Sequence, residues 1–239
     1  MPDAWLILPT YNEAENIAPI VRAVRTQLRP GDRILVVDDN SPDGTGAIAD
    51  ELAQEVDGLE VLHRAGKEGL GRAYLAGFDH ALAAGAGLVL EMDADFSHDP
   101  ADIPRLIAAA EQGADLVLGS RYVAGGDVTD WGLLRKLVSR GGSWYARVVL
   151  GVGVRDLTGG FKCFRREVLE ALDLNSVHAD GYGFQIELTY RTIQKGFQIV
   201  EIPIVFRDRR VGESKMDARI ALEAVWKVPA LKRRHSANL

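Results

Sequence analysis

Leu88-Val89-Leu90-Glu91-Met92-Asp93-Ala94-Asp95 is an apolar run that ends in two carboxylates one residue apart. It reads as a buried strand whose end sends both side chains toward one region of a cleft. Hard divalent cations suit such a pair: Mg²⁺ or Mn²⁺ prefers oxygen ligands, keeps several waters and shares its carboxylates with substrate phosphates. Asp93 and Asp95 are therefore candidate metal ligands beside a nucleotide diphosphate. Two other readings exist. An Asp-x-Asp at a strand end can simply cap the next helix. Asp93, Asp95, Ser97 and Asp99 also occupy the first, third, fifth and seventh positions of an EF-hand loop, but His98 stands where that loop needs glycine and Pro104 where it needs a bidentate glutamate. His98 reads as an exposed or capping histidine.

Outward from this strand, apolar runs alternate with helical patterns, the signature of βαβ units around a mostly parallel sheet. Strands are expected at Trp5 to Leu8, Arg33 to Val37, Leu59 to Leu62, Leu88 to Met92 and Leu116 to Gly119. Ile17, Ile20, Val21, Val24 and Leu28 recur at helical spacing, as do Ile48 and Leu52 with the alanines after Asp43. Pro100 opens another helix. Val123 to Gly160 is glycine-richer and less periodic, so a mobile connection over the cleft is expected there. Helices follow at Arg165 to Leu172 and Phe184 to Lys195. Ile199 to Phe206 reads as a strand whose Pro203 places it at an edge.

The 239 residues, 47% of them hydrophobic, suffice for one α/β domain with a C-terminal extension. A net charge of −6 argues against nucleic acid as a partner, although Arg219 to Leu239 holds five Lys/Arg against one Glu. The lone Cys163 excludes an intramolecular disulfide and any Cys-based zinc cluster; it reads as an inert buried thiol and fits a reducing cytosol. The N-terminus lacks a basic n-region, and no apolar stretch reaches the roughly 20 residues that cross a bilayer.

Open α/β sheets bind ligands at the carboxyl ends of their strands. The first strand runs out in Leu8-Pro9-Thr10-Tyr11-Asn12-Glu13, where Tyr11 can face a base and Glu13 a ribose or base edge, or where Thr10 or Asn12 merely caps a helix. The second ends in Val37-Asp38-Asp39-Asn40-Ser41-Pro42-Asp43-Gly44-Thr45: Asp39 is a candidate partner for the base, Ser41 and Asp43 turn and cap residues. Neither dinucleotide nor P-loop fingerprints occur, and Gly66 to Gly71 reads as a helix-entry turn.

Together these strand ends resemble the GT-A glycosyltransferases of the family 2 type, and within them the dolichol- or polyprenol-phosphate mannose synthases. The resemblance continues through Gly-Leu-Gly at 69 to 71, Met-Asp-Ala-Asp-Phe-Ser-His at 92 to 98 and Gly-Ser-Arg-Tyr at 119 to 122. Ser-Arg-Gly at 139 to 141, Asp-Leu-Thr-Gly-Gly-Phe at 156 to 161 and Arg-Val-Gly-Glu-Ser-Lys at 210 to 215 complete it. It implies a GT-A catalytic domain over residues 1–217, followed by an amphipathic, basic segment over 218–239. It implies a GDP-mannose donor with Pro9, Tyr11, Glu13, Val37 and Asp39 around the nucleoside, and Asp93, Ala94 and Asp95 at the metal and diphosphate. Arg121, Arg209 and Lys215 match phosphate-contacting cations; Arg121, Arg135 and Ser139 match the acceptor phosphate site. Some relatives carry a glutamine metal ligand where this chain has Ser97.

The implied reaction is metal-dependent, inverting transfer of mannose to a polyprenyl or dolichyl phosphate. Alternatives left open are a UDP-glucose-dependent glucosyltransferase, a sugar nucleotidyltransferase and a non-catalytic nucleotide-sugar-binding subunit. A hydrocarbon acceptor requires contact with a membrane surface, expected on the cytoplasmic face. Ile220, Leu222, Val225 and Trp226 offer one apolar helical side for it, ahead of Lys232-Arg233-Arg234, or they pack against the core. A membrane-anchoring partner subunit is one route to firmer attachment.

Overall fold

The computed structural model describes residues 3–177, 179, 181–208 and 228–233. A seven-stranded sheet forms its centre. In chain order the strands are β1 (Ala4–Thr10), β2 (Arg33–Asp38), β3 (Leu59–His63), β4 (Leu88–Glu91), β5 (Leu116–Ser120), β6 (Asp127–Val128), β7 (Lys162–Arg165), β8 (Ile199–Pro203) and β9 (Val205–Phe206). The sheet order is β3-β2-β1-β4-β7-β5-β8, all parallel but for β7, which lies antiparallel between β4 and β5; β6 and β9 form a separate parallel pair. Seven helices connect these strands: α1 (Ala14–Arg25), α2 (Thr45–Glu55), α3 (Leu70–Ala83), α4 (Ile103–Glu111), α5 (Leu133–Leu150), α6 (Arg166–Ala171) and α7 (Tyr182–Gln194).

Alternation along the strands divides the core, as successive side chains must face opposite sides of a sheet. Leu6, Leu8, Ile34 and Val36 meet Ile17, Ile20, Val21 and Val24 of α1 and Ile103, Leu106 and Ile107 of α4. Trp5, Ile7, Leu35 and Val37 face the other way, against Tyr74 and Phe78 of α3, Ala146 and Leu150 of α5 and Phe184 and Leu188 of α7. Helix α3 comes so close that a Cβ on Gly77 would lie 2.5 Å from Ile7 Cγ2. Cys163 is buried and unpaired, and burial pushes its thiol pKa up.

Three expectations change. The segment from Val123 to Gly160 holds the 18-residue helix α5, not a mobile connection; its glycines 141 and 142 lie on the exposed side, so the inner side still packs. A four-residue strand, β7, precedes α6, so the expected helix at Arg165 starts one residue later. The strand expected through Phe206 breaks after Pro203, which does sit on the edge strand β8. In the C-terminal segment, residues 228–233 are helical, with Val228 and Leu231 in the core and Lys232 Nζ donating to the Val149 carbonyl at 2.7 Å; residues 209–227 lie outside the described part.

Gly77→Ala should lower stability by about 1–2 kcal/mol in urea unfolding, because overpacking against Ile7 exceeds the gain in helix propensity. An unchanged or raised midpoint would refute close packing there.

Candidate active site

The lip of the cleft is made by left-handed residues where strands end. Asn12 and Asn40, after β1 and β2, have φ of 56° and 58°, a conformation that asparagine tolerates. The two loops then support each other: Ser41 Oγ accepts from Asn12 N at 3.1 Å, Thr45 Oγ1 from Glu13 N at 2.9 Å and Asp43 Oδ2 from Ala14 N at 3.0 Å. Ser41 and Asp43 are thus the turn and cap residues that the sequence suggested. Asp38 is consumed by the turn, accepting from Ser41 Oγ at 2.5 Å and Ser41 N at 3.1 Å.

Asp39 instead lines a cavity of about 380 Å³ with Pro9, Tyr11 and Glu13. Burial raises its pKa, with the guanidinium of Arg64, to which it is hydrogen bonded, acting in the other direction. Lys67 closes this wall, its Nζ lying 4.2 Å from the centre of the Tyr11 ring. The Gly66–Gly71 segment is the helix-entry turn expected, with Gly69 preceding α3 at φ 105°, and it also borders the cavity. Val37 is the one residue of the nucleoside set whose side chain turns away, into the core on the α3 side.

Across the cavity floor run Asp93, Ala94, Asp95, Ser97 and His98. Phe96 between them adopts φ 62°, rare for a bulky residue, and the backbone turns so that Ser97 N donates to Asp95 Oδ1 at 3.0 Å. The buried Tyr74 hydroxyl donates to Asp93 Oδ1 at 3.3 Å. Asp99 accepts from Ala101 N at 3.0 Å as the cap of the next turn, which removes it from any calcium loop. His98 is buried, not exposed: its ring lies 5.0 Å from that of Phe161 and 5.2 Å from that of Phe206. Burial lowers its pKa to about 4 against the pull of Asp95, so at neutral pH it is uncharged.

Among the described residues no group of three His, Cys, Asp or Glu converges as a metal cage. Two carboxylates on a cavity floor, with the buried Ser97 Oγ lacking a hydrogen-bond partner beside them, suit a hard cation that completes its shell with water and phosphate oxygens. The donor set fits Mg²⁺ or Mn²⁺ and lacks the thiolates or imidazole cluster that softer metals favour.

The opposite wall carries cations. Arg121 is buried, and its Nε and Nη2 donate to Asp156 Oδ2 and Oδ1, each at 2.7 Å, while Nη2 also reaches Thr158 Oγ1 at 2.8 Å. Burial opposes the charge on Asp156, but Arg121 overcomes it and holds the carboxyl below its usual range. Arg135 stacks over Trp131 at 4.0 Å and donates from Nη1 to both Asp208 oxygens at 3.0 and 3.1 Å. Arg121, Arg135 and Asp208 line the cavity; Ser139 does not, its hydroxyl sharing a 2.7 Å hydrogen bond with Tyr122. Arg209 and Lys215 lie outside the described residues. Reading the sequence assigned no role to Arg64, Lys67, Tyr74 or Asp156. Asp156 stood in a quoted motif and Lys67 in the Gly66–Gly71 turn; Arg64 and Tyr74 carried no local signal.

Residues 5–173 match glycosyl transferase family 2, and the chain belongs to that family. It is 52% identical over 224 residues to a polyprenol monophosphomannose synthase of Mycolicibacterium smegmatis, an alignment covering 93% of this chain and 84% of that one. It is 47% identical to an undecaprenyl-phosphate mannosyltransferase of Micrococcus luteus, covering 93% and 90%. Its fold superposes on glucosyl-3-phosphoglycerate synthase from Mycobacterium tuberculosis, solved with Mn²⁺, UDP-glucose and phosphoglyceric acid, with a TM-score of 0.73 at 21% identity over 97% of this chain and 80% of that one. The protein is a glycosyltransferase with a GT-A fold.

Asp156→Ala strands the buried Arg121 and should cost about 3–5 kcal/mol in chemical unfolding. A loss below about 1 kcal/mol would show that Arg121 is not held by this pair.

Proposed function

We propose that this glycosyltransferase moves mannose from GDP-mannose to a polyprenyl phosphate, giving polyprenyl-phosphate mannose. The observation that carries the reading is the convergence, in one cavity, of the Pro9–Tyr11–Glu13–Asp39 wall, the Asp93–Asp95 floor and the Arg121–Arg135 wall. The near full-length relatives named for this chemistry support the choice of donor sugar and acceptor.

The residues divide the work by position. Tyr11, Glu13 and Asp39 take the nucleoside, with Pro9 and the backbone at Val37 behind it. Asp93 and Asp95 would hold a divalent cation, which when bound would supply positive charge at the diphosphate of the departing GDP. A phosphate monoester is largely ionised at neutral pH, since its second pKa is about 6, so the acceptor oxygen needs no general base to attack the anomeric carbon. As that bond forms, the carbon–oxygen bond to GDP breaks, and the configuration inverts. Arg135 orients the acceptor, with Arg121, Arg209 and Lys215 drawing two anions together despite their repulsion. For Arg121 the tie to Asp156 fixes the guanidinium plane in advance, so little is spent on reorganisation.

A hydrocarbon acceptor must be met at a membrane surface. Leu133, Leu137, Trp144 and Val148 of α5 are 81%, 68%, 65% and 57% exposed and recur at helical spacing on the side opposite the buried Ser143, Ala146 and Leu150. Lys136 and Arg140 run along one side of that stripe, and Arg135, from the same helix, reaches the cavity. An apolar face with a basic margin is the form of an interfacial helix, and here it would deliver the lipid phosphate beside the donor. No helix among the described residues is long and apolar enough to cross a membrane. Peripheral attachment on the cytoplasmic face, reinforced by a membrane partner, is the arrangement proposed.

With Mg²⁺ or Mn²⁺, GDP-mannose and polyprenyl phosphate, the purified protein should form lipid-linked mannose, and Asp95→Ala should cut turnover by roughly 10²–10³. No product, or product only from UDP-glucose, would reject the reading. Leu137→Glu combined with Trp144→Glu should reduce turnover on vesicle-embedded acceptor by about tenfold or more, sparing a water-soluble short-chain acceptor; equal loss on both would remove α5 from the membrane role.

A further inference from the structure

Gln185, in the first turn of α7, is a polar side chain without a partner at the edge of this cavity. It is 3% exposed, and neither Oε1 nor Nε2 forms a hydrogen bond in the structure. The residue is nevertheless fixed in place: its backbone carbonyl accepts from the buried Lys162 Nζ and from Thr189 Oγ1, both at 2.9 Å. Gln185 also lines the cavity with Asp93 and Gly160. A Cβ built on Gly160 would lie 3.4 Å from Gln185 Nε2 and 3.9 Å from both oxygens of Asp93. These are ordinary contact distances, so an alanine would fit at 160, and its methyl would fill the gap between carboxamide and carboxylate. Glycine keeps that gap open.

A buried carboxamide with both ends unused is costly unless something else satisfies it. The neighbouring Glu91 is the internal candidate. Gln185 lies close enough to influence its titration, yet the carboxylate oxygens and the amide do not meet in hydrogen-bond geometry. The remaining direction is the cavity.

We infer that Gln185 reads the transferred hexose, its Nε2 donating to one sugar hydroxyl and its Oε1 accepting from a neighbouring one, in the space that Gly160 leaves beside Asp93. A carboxamide offers one donor edge and one acceptor edge side by side, which matches two adjacent hydroxyls on a ring. The inference rests on the proposed donor site, because it needs the diphosphate at Asp93 and Asp95 to bring the sugar over Gly160. Gln185 then discriminates sugar from no sugar, and nucleoside recognition stays at Tyr11 and Asp39.

Calorimetric titration with Mg²⁺ present tests this on two ligands, GDP-mannose and GDP. Gln185→Leu, close in size and without polar ends, should weaken GDP-mannose by about tenfold to a hundredfold, the loss of one or two hydrogen bonds, and leave GDP within about twofold. Gly160→Ala should give the same split by occupying the gap. Retained GDP binding certifies that each variant is folded. If either variant weakens both ligands equally, or neither, the inference is overturned and Gln185 serves only the packing around Glu91. The readout is binding, so a wild type that binds GDP-mannose but transfers no mannose defeats the reaction proposed above without deciding the role of Gln185.

Discussion

The ladder between β1 and β4 is what the rest of the site depends on. Ala4 to Ile7 run parallel to Leu88 to Glu91 in register, so β1, which continues to Thr10, brings Pro9 and Tyr11 level with Asp93 and Asp95 although more than eighty residues separate them. Pro9, Tyr11 and Glu13 leave one strand at the place where Asp93 and Asp95 leave the other. On the far side of β1, strand β2 brings Asp39 to the same level through the pairing of Thr10 with Asp38. The wall of Pro9, Tyr11 and Glu13 and the carboxylate floor become neighbours because parallel strands share a direction, and ligands collect at their carboxyl ends.

Charge is arranged across the cavity rather than spread through it. The floor is anionic, and each arginine on the far wall is held in place: Arg121 by Asp156, Arg135 by Trp131 and by Asp208 beside it. Bracing costs some attraction for substrate but fixes geometry, which is the more valuable commodity when both substrates are already anionic. His98 fits the same logic. Buried between two phenylalanine rings and held neutral, it lines the cavity beside Asp93 and Asp95 without adding a cation that would compete with a metal.

Much of this was legible before the structure. β1 to β5 fell within one or two residues of expectation because their apolar runs are short and bounded by turn residues. Tyr11, Glu13, Asp39, Asp93 and Asp95 were visible as polar residues placed where such runs stop. Among the elements that escaped are β7 and α5. β7 is only Lys-Cys-Phe-Arg, and nothing in four residues flanked by charges announces a strand at the middle of a sheet; its burial comes from β4 and β5, on either side of it. α5 was obscured by its glycines and by an apolar face that points outward at one side and inward at the other.

The sequence by itself determined the order of βα units and the polar residues at their strand ends, because periodicity and turn chemistry act over a few residues, and its motifs carried the resemblance to a family. Only tertiary structure decided which strand ends meet, that Arg121 is locked to Asp156, that His98 is buried and that Gln185 faces the cavity with nothing to bond. Those are matters of burial and of distance between residues far apart in the chain. A carboxamide reads the same in any helix until its surroundings show whether its hydrogen bonds are already taken.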